Sequence, residues 1–168
     1  MTDLILLAAT VGALDAPASV ALGSERAAIE TSGRVVRGSF RNAAGERAWT
    51  LVLPEGAAPA GGRALVVMLH GCAQDAGNVA RGTRLHEIAG EQGWMVLYPE
   101  QSVTAHATRC WNWYEPAHQR RDAGEPAIIA GMTAQVVAEY GGDDRRVFLS
   151  GMSAGAAMAS LVVAAYPE

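Results

Sequence analysis

Residues 147–168 place the tightest constraint on the fold. They read VFLSGMSAGAAMASLVVAAYPE: a short apolar run, a serine between glycines, then a helix-forming run of small and aliphatic residues. Strand, turn and helix follow one another without a loop, so the turn has to be sharp. Gly151-Met152-Ser153-Ala154-Gly155 fits the pattern GxSxG, in which the serine takes a strained backbone conformation and the glycines let strand and helix approach without a Cβ clash. Such a turn raises the Ser153 hydroxyl at the end of its strand and directs the Ala154 amide at a point where an oxyanion would form. It belongs at the C-terminal edge of a parallel sheet.

The remaining segments supply that sheet. Ala64 to His70 (ALVVMLH), Trp94 to Tyr98 (WMVLY) and Val147 to Leu149 are unbroken apolar runs, the pattern of strands covered on both faces. Earlier, Val35 to Phe40 and Ala48 to Leu53 alternate well enough to form a hairpin joined through Asn42 to Gly45. Ala57 to Gly62 (AAPAGG) is a loop. Helical patterns lie between the strands at Arg84 to Glu91 and at Pro126 to Tyr140. In the second, Ile128, Ile129, Met132, Val136, Val137 and Tyr140 share a face, Pro126 suits the first turn and Gly141-Gly142 the end. The alternation predicts an α/β fold, a mostly parallel sheet with helices on both faces.

The length of 168 residues suits one domain. The net charge is -4 and the 13 Lys and Arg are scattered, with only Arg120-Arg121 and Arg145-Arg146 as pairs, so no basic stripe for nucleic acid is present. No apolar run reaches the ~18 residues needed to span a bilayer. Leu4 to Leu14 followed by small residues resembles part of a secretory leader within residues 1–22, although Asp3 stands where a basic residue is usual; a short N-terminal helix and a mis-called start codon are the alternatives.

The second half of a site should come from Leu69-His70-Gly71-Cys72, the loop after ALVVMLH, whose Cys72 amide is the expected second oxyanion donor. His70 precedes the serine in the chain, whereas this architecture supplies its base after it, so His70 reads as a hydrogen-bonded structural residue. His106 and His118 lie in polar stretches and read as surface. Asp143 and Asp144 precede the serine strand, where a turn accounts for them. Cys72 and Cys110 are the only cysteines and have no ligand cluster for a metal near them. They are either two buried thiols or a disulfide, whose chain-entropy contribution would be about 4 kcal/mol. Trp111, Trp113 and Tyr114 crowd one loop; one tryptophan is expected to pack beneath it and the other to face a substrate, and both are candidates for substrate binding.

From about Ala64 to Glu168 the chain resembles the polyhydroxybutyrate (PHB) depolymerase family of esterases, relatives of feruloyl and acetylxylan esterases among the α/β-hydrolases. The matching stretches are LVVMLHGCAQ, WMVLYPEQ, RCWNWYEP, GEPAIIAGM and RRVFLSGMSAGAAMA followed by YPE. The resemblance implies Ser153 as nucleophile, the Cys72 and Ala154 amides as oxyanion hole and a Cys72–Cys110 disulfide. It also implies short-chain hydroxyalkanoate or aryl ester substrates, no metal and no cofactor, with secreted members common; an extracellular location is expected, with the cytoplasm as the alternative. The family carries its acid and histidine well downstream of the elbow, where this sequence has only thirteen residues after Gly155. None of His70, His86, His106 or His118 takes their place in chain order. The expectation is therefore an α/β-hydrolase truncated after the elbow helix, with residues 1–33 a leader or non-diagnostic segment and 34–168 the N-terminal part of an esterase domain. The alternatives are a relic without a triad, a chain completed by a second one, or an acyltransferase using the same acyl-serine.

Overall fold

The computed structural model describes residues 29–167, so the proposed leader lies outside the described residues. Five strands form one sheet in the order β1-β2-β4-β3-β5. β1 (Arg34–Asn42) and β2 (Gly45–Leu53) are the expected hairpin, closed where Asn42 pairs with Gly45 and the Asn42 side chain accepts from the Ala44 amide at 2.9 Å. β2 runs antiparallel to β4 (Met95–Glu100), and β3 (Arg63–Leu69) lies between β4 and β5 (Gly142–Gly151), parallel to both. The sheet is thus mixed: its parallel part is built from the unbroken apolar runs and its antiparallel part from the alternating ones.

The two faces divide residue by residue along β3. Leu65, Val67 and Leu69 point to a core shared with α3 (Gly124–Tyr140) and α4 (Ala154–Ala165), through Ile128, Ile129, Met132, Val136, Met158, Ala159 and Val162. Val66 and Met68 point the other way, against Ala76, Val79, Ala80 and Ala89 of α1 (Ala76–Thr83) and α2 (Leu85–Glu91). Each such leucine or valine contributes about 1.5–3 kcal/mol by leaving water. Helices cover both faces, as expected. α3 ends where Gly141 adopts φ 71° and its amide bonds the Val137 carbonyl, a left-handed cap that glycine alone takes without cost.

Two features differ from the sequence expectation. α1 was not foreseen: Gly77 and Gly82 dilute its helical propensity, and its start is marked only by Asp75, whose carboxylate accepts from the Asn78 amide at 2.8 Å. β5 begins at Gly142 rather than near Val147, so Asp143 lies inside it. The turn chemistry is still present, because Asp143 accepts from the Arg145 amide at 3.0 Å where the register with β3 shifts, and from the Arg146 guanidinium at 2.8 Å. These partners hold its carboxyl at about 2. Asp143 is thereby a structural residue at the opposite end of β5 from Ser153.

Candidate active site

β3, β4 and β5 all deliver their C-terminal ends to one edge of the sheet, the edge where open α/β sheets bind ligands. The turn after β5 has the strain that its sequence predicts: Ser153 sits at φ 53°, ψ -121°. A non-glycine residue there costs about 1–3 kcal/mol and persists only if its surroundings hold it. They do, through Met152 N to Leu69 O at 3.0 Å, Gly155 N to Met152 O at 2.8 Å and Ala156 N to Ser153 O at 2.9 Å. The glycines are required by backbone. A Cβ on Gly155 would lie 2.4 Å from the Leu69 carbonyl oxygen and 2.6 Å from that of His70, and one on Gly151 would lie 2.3 Å from the Gly155 carbonyl carbon. Gly155→Ala is accordingly expected to destabilise the fold by about 3 kcal/mol, the upper end of overpacking costs, which urea unfolding would measure.

Ser153 is exposed and its hydroxyl makes no hydrogen bond among the described residues. The loop after β3 runs beside it: a Cβ on Gly71 would meet the Ser153 Cβ at 3.5 Å. Along that loop the amides are taken one after another. Gly71 N donates to Gln74 Oε1 at 2.8 Å, Ala73 N to Thr108 O at 2.7 Å and Gln74 N to Gly71 O at 3.3 Å. The Cys72 amide between them donates to no acceptor among the described residues, and neither does that of Ala154, the first residue of α4. Amides at a helix start and in such a loop can receive a developing negative oxygen.

Cys72 and Cys110 form a disulfide (S–S 2.01 Å), which ties this loop to the segment after β4. The tryptophans in that segment divide. Trp111, a candidate substrate contact, is instead fully buried: its indole nitrogen donates to the His70 carbonyl at 3.1 Å and its ring packs 5.5 Å from the His70 ring. Enclosed in this way, it supports the loop from below. Trp113 is 42% exposed, edge to face with Tyr114.

The four histidines are all committed elsewhere. His70 is buried, with Nδ1 2.7 Å from Gly71 O and Nε2 3.0 Å from the Gln101 amide, and burial holds its pKa below the ordinary histidine value. His86 bonds the Tyr98 hydroxyl and the Glu30 carbonyl. His106 and His118, expected at the surface, are half-buried loop organisers: Nδ1 of His106 accepts from the Cys110 amide at 3.3 Å, and Nδ1 of His118 from that of Glu125 at 2.9 Å. None of them bonds Ser153.

A buried polar cluster beneath the loop was not foreseen. Glu125, fully enclosed at the start of α3, accepts from Arg47 Nη2 at 3.0 Å, from the Asn112 amide at 2.8 Å, from Asn112 Nδ2 at 2.9 Å and from the Gln101 side chain. Gln101 also bonds Arg47 Nε at 2.6 Å and the Cys110 carbonyl at 2.9 Å. A carboxylate accepting from four donors fixes both ends of the segment from Gln101 to Asn112. Among the described residues, no group of three or more His, Cys, Asp or Glu is placed to hold a metal.

A mixed sheet with a strained serine turn at the C-terminal end of a parallel strand, flanked by helices on both faces, defines an α/β-hydrolase fold. Solved structures agree: an acetyl xylan esterase from Aspergillus awamori superposes with a TM-score of 0.65 at 24% identity, over 72% of this chain and 43% of that one. Residues 47–168 match the family model described as Esterase PHB depolymerase, and the chain belongs to that family. It is 35% identical over 104 residues to poly(3-hydroxyalkanoate) depolymerase C of Paucimonas lemoignei, covering 62% of this chain and 25% of that protein. To feruloyl esterase B of Neurospora crassa it is 35% identical over 106 residues, covering 62% and 35%. The match thus spans only 25% to 35% of the length of these relatives.

Proposed function

We propose that the protein is a serine carboxylic-ester hydrolase acting on polyhydroxyalkanoate or related short-chain or aryl esters. The observation that carries this reading is the exposed Ser153 hydroxyl on a strained elbow, with the undirected amides of Cys72 and Ala154 on the adjoining turns. Ser153 Oγ attacks the ester carbonyl carbon while a base takes its proton, and the carbonyl oxygen becomes an oxyanion received by the two amides. Collapse breaks the bond to the alcohol, which leaves with that proton; water then cleaves the acyl-serine and releases the acid. Because each histidine at hand is engaged elsewhere, the base is a histidine that these 168 residues do not contain. Residues 34–168 then make the N-terminal part of the hydrolase domain. Trp113, exposed beside Tyr114, is an aromatic side chain available to an acyl or aryl group.

The disulfide favours an oxidising compartment and supports export of the protein. Among the described residues no helix is long and apolar enough to cross a membrane.

The test uses the protein expressed from its complete gene. A fluorophosphonate probe is expected to label Ser153, located by peptide mapping, and 3-hydroxybutyrate oligomers or p-nitrophenyl butyrate to be hydrolysed to the free acid. Absence of both labelling and hydrolysis would overturn the reading.

A further inference from the structure

We propose that His70 is a positioning residue that aims the Cys72 amide, an inference that rests on the hydrolase reading above. Its tautomer follows from its partners. Nε2 faces the Gln101 main-chain amide at 3.0 Å, and an amide can only donate, so Nε2 carries the lone pair. The ring proton therefore sits on Nδ1 and is donated to the Gly71 carbonyl at 2.7 Å. That carbonyl belongs to the same peptide plane as the Cys72 N–H, and in a trans peptide the two point in opposite directions. Holding the oxygen inward, against a ring with no solvent exposure, turns the N–H outward at the loop beside Ser153. A hydrogen bond to the carbonyl also polarises the peptide and strengthens its N–H as a donor.

Gln74 N reaches the same Gly71 oxygen at 3.3 Å, a longer contact from within the loop itself. His70, in contrast, is fixed from outside the loop. Trp111 packs on its ring and bonds its carbonyl, and the Gln101 segment that supplies its second contact is held by Glu125. The imidazole thus transmits the rigidity of the buried cluster to a single peptide plane.

Two substitutions separate this role from mere support. Asparagine presents a donor where Nδ1 sits, and glutamine presents an acceptor where Nε2 sits. In the protein expressed from its complete gene, His70→Gln is expected to lower kcat for p-nitrophenyl butyrate about 30-fold with KM within about twofold, since losing one oxyanion donor costs about 10²–10³. His70→Asn is expected to fall only about threefold, although it loses the Gln101 contact and has a similar or lower Tm. Equal losses in the two variants, or a loss confined to KM, would overturn the role. If either variant fails to fold, ¹⁵N NMR of the unsubstituted protein decides, because the role requires the proton on Nδ1 and a proton on Nε2 refutes it. Ser153→Ala in the same assay keeps the two ideas apart. Full activity there sinks the hydrolase reading itself, whereas loss there with equal losses at His70 sinks only the positioning role.

Discussion

Ser153→Ala is expected to lower ester turnover by about six orders of magnitude, the cost of removing the nucleophile of an acyl-enzyme mechanism. Two facts make the expectation specific. Ser153 is exposed and its hydroxyl makes no hydrogen bond among the described residues, so the substitution should leave the fold stable and remove only the attacking oxygen. Its φ of 53° is disfavoured for alanine as for serine, so the strain is present before and after the exchange. The measurement is kcat for p-nitrophenyl butyrate with the melting temperature alongside, on protein expressed from its complete gene. A variant that melts with the parent and retains more than about a hundredth of its turnover would contradict Ser153 as nucleophile.

The second large effect belongs to Glu125. Glu125→Ala is expected to cost about 3–5 kcal/mol, because the Arg47 guanidinium, 8% exposed, would remain buried without its counter-charge and the Asn112 amide would lose its carboxylate acceptor. Against a total stability of about 5–15 kcal/mol for a domain, that is roughly a fifth or more. Urea unfolding at constant slope measures it, and a loss below about 1 kcal/mol would show the pair to be dispensable. Replacing both partners by apolar residues, Arg47→Met with Glu125→Leu, is expected to recover much of the loss, since the penalty lies in the orphaned charge.

The contrast between Ser153 and Glu125 shows what the sequence could reveal. The elbow is contiguous: five residues, a strand before and a helix after are enough to specify it, because tight turns restrict residue type locally. The parallel strands were legible for a similar reason, since burial on both faces leaves no polar position in ALVVML. α3 was legible from its period, from Pro126 and from Gly141. Glu125 has no such local signature. Its partners lie 78, 24 and 13 residues away, and a lone glutamate in a helix's first turn reads as a solvated residue until the fold encloses it. The tryptophans failed differently. Trp111 and Trp113 are chemically identical and two positions apart, and only the placement of His70 beneath the loop decides which is enclosed. The Cys72–Cys110 pairing stood open between thiols and a bridge on the residues alone; family resemblance implied the bridge, and the fold brings the two Cα atoms to 4.2 Å.

The position of β3 between β4 and β5 also sets a timetable. Both of its neighbours come later in the chain, so as the polypeptide leaves the ribosome its most apolar strand is made first and must wait for each edge in turn. The N-terminal hairpin can close at once, but the central strand gains its second neighbour only after α3 and the whole of β5 have been synthesised. During that interval ALVVML is a sticky, half-paired ribbon, the kind of segment that recruits other nascent chains. The interval between the synthesis of β3 and that of β5 is therefore the one in which this strand is most open to pairing with a wrong partner.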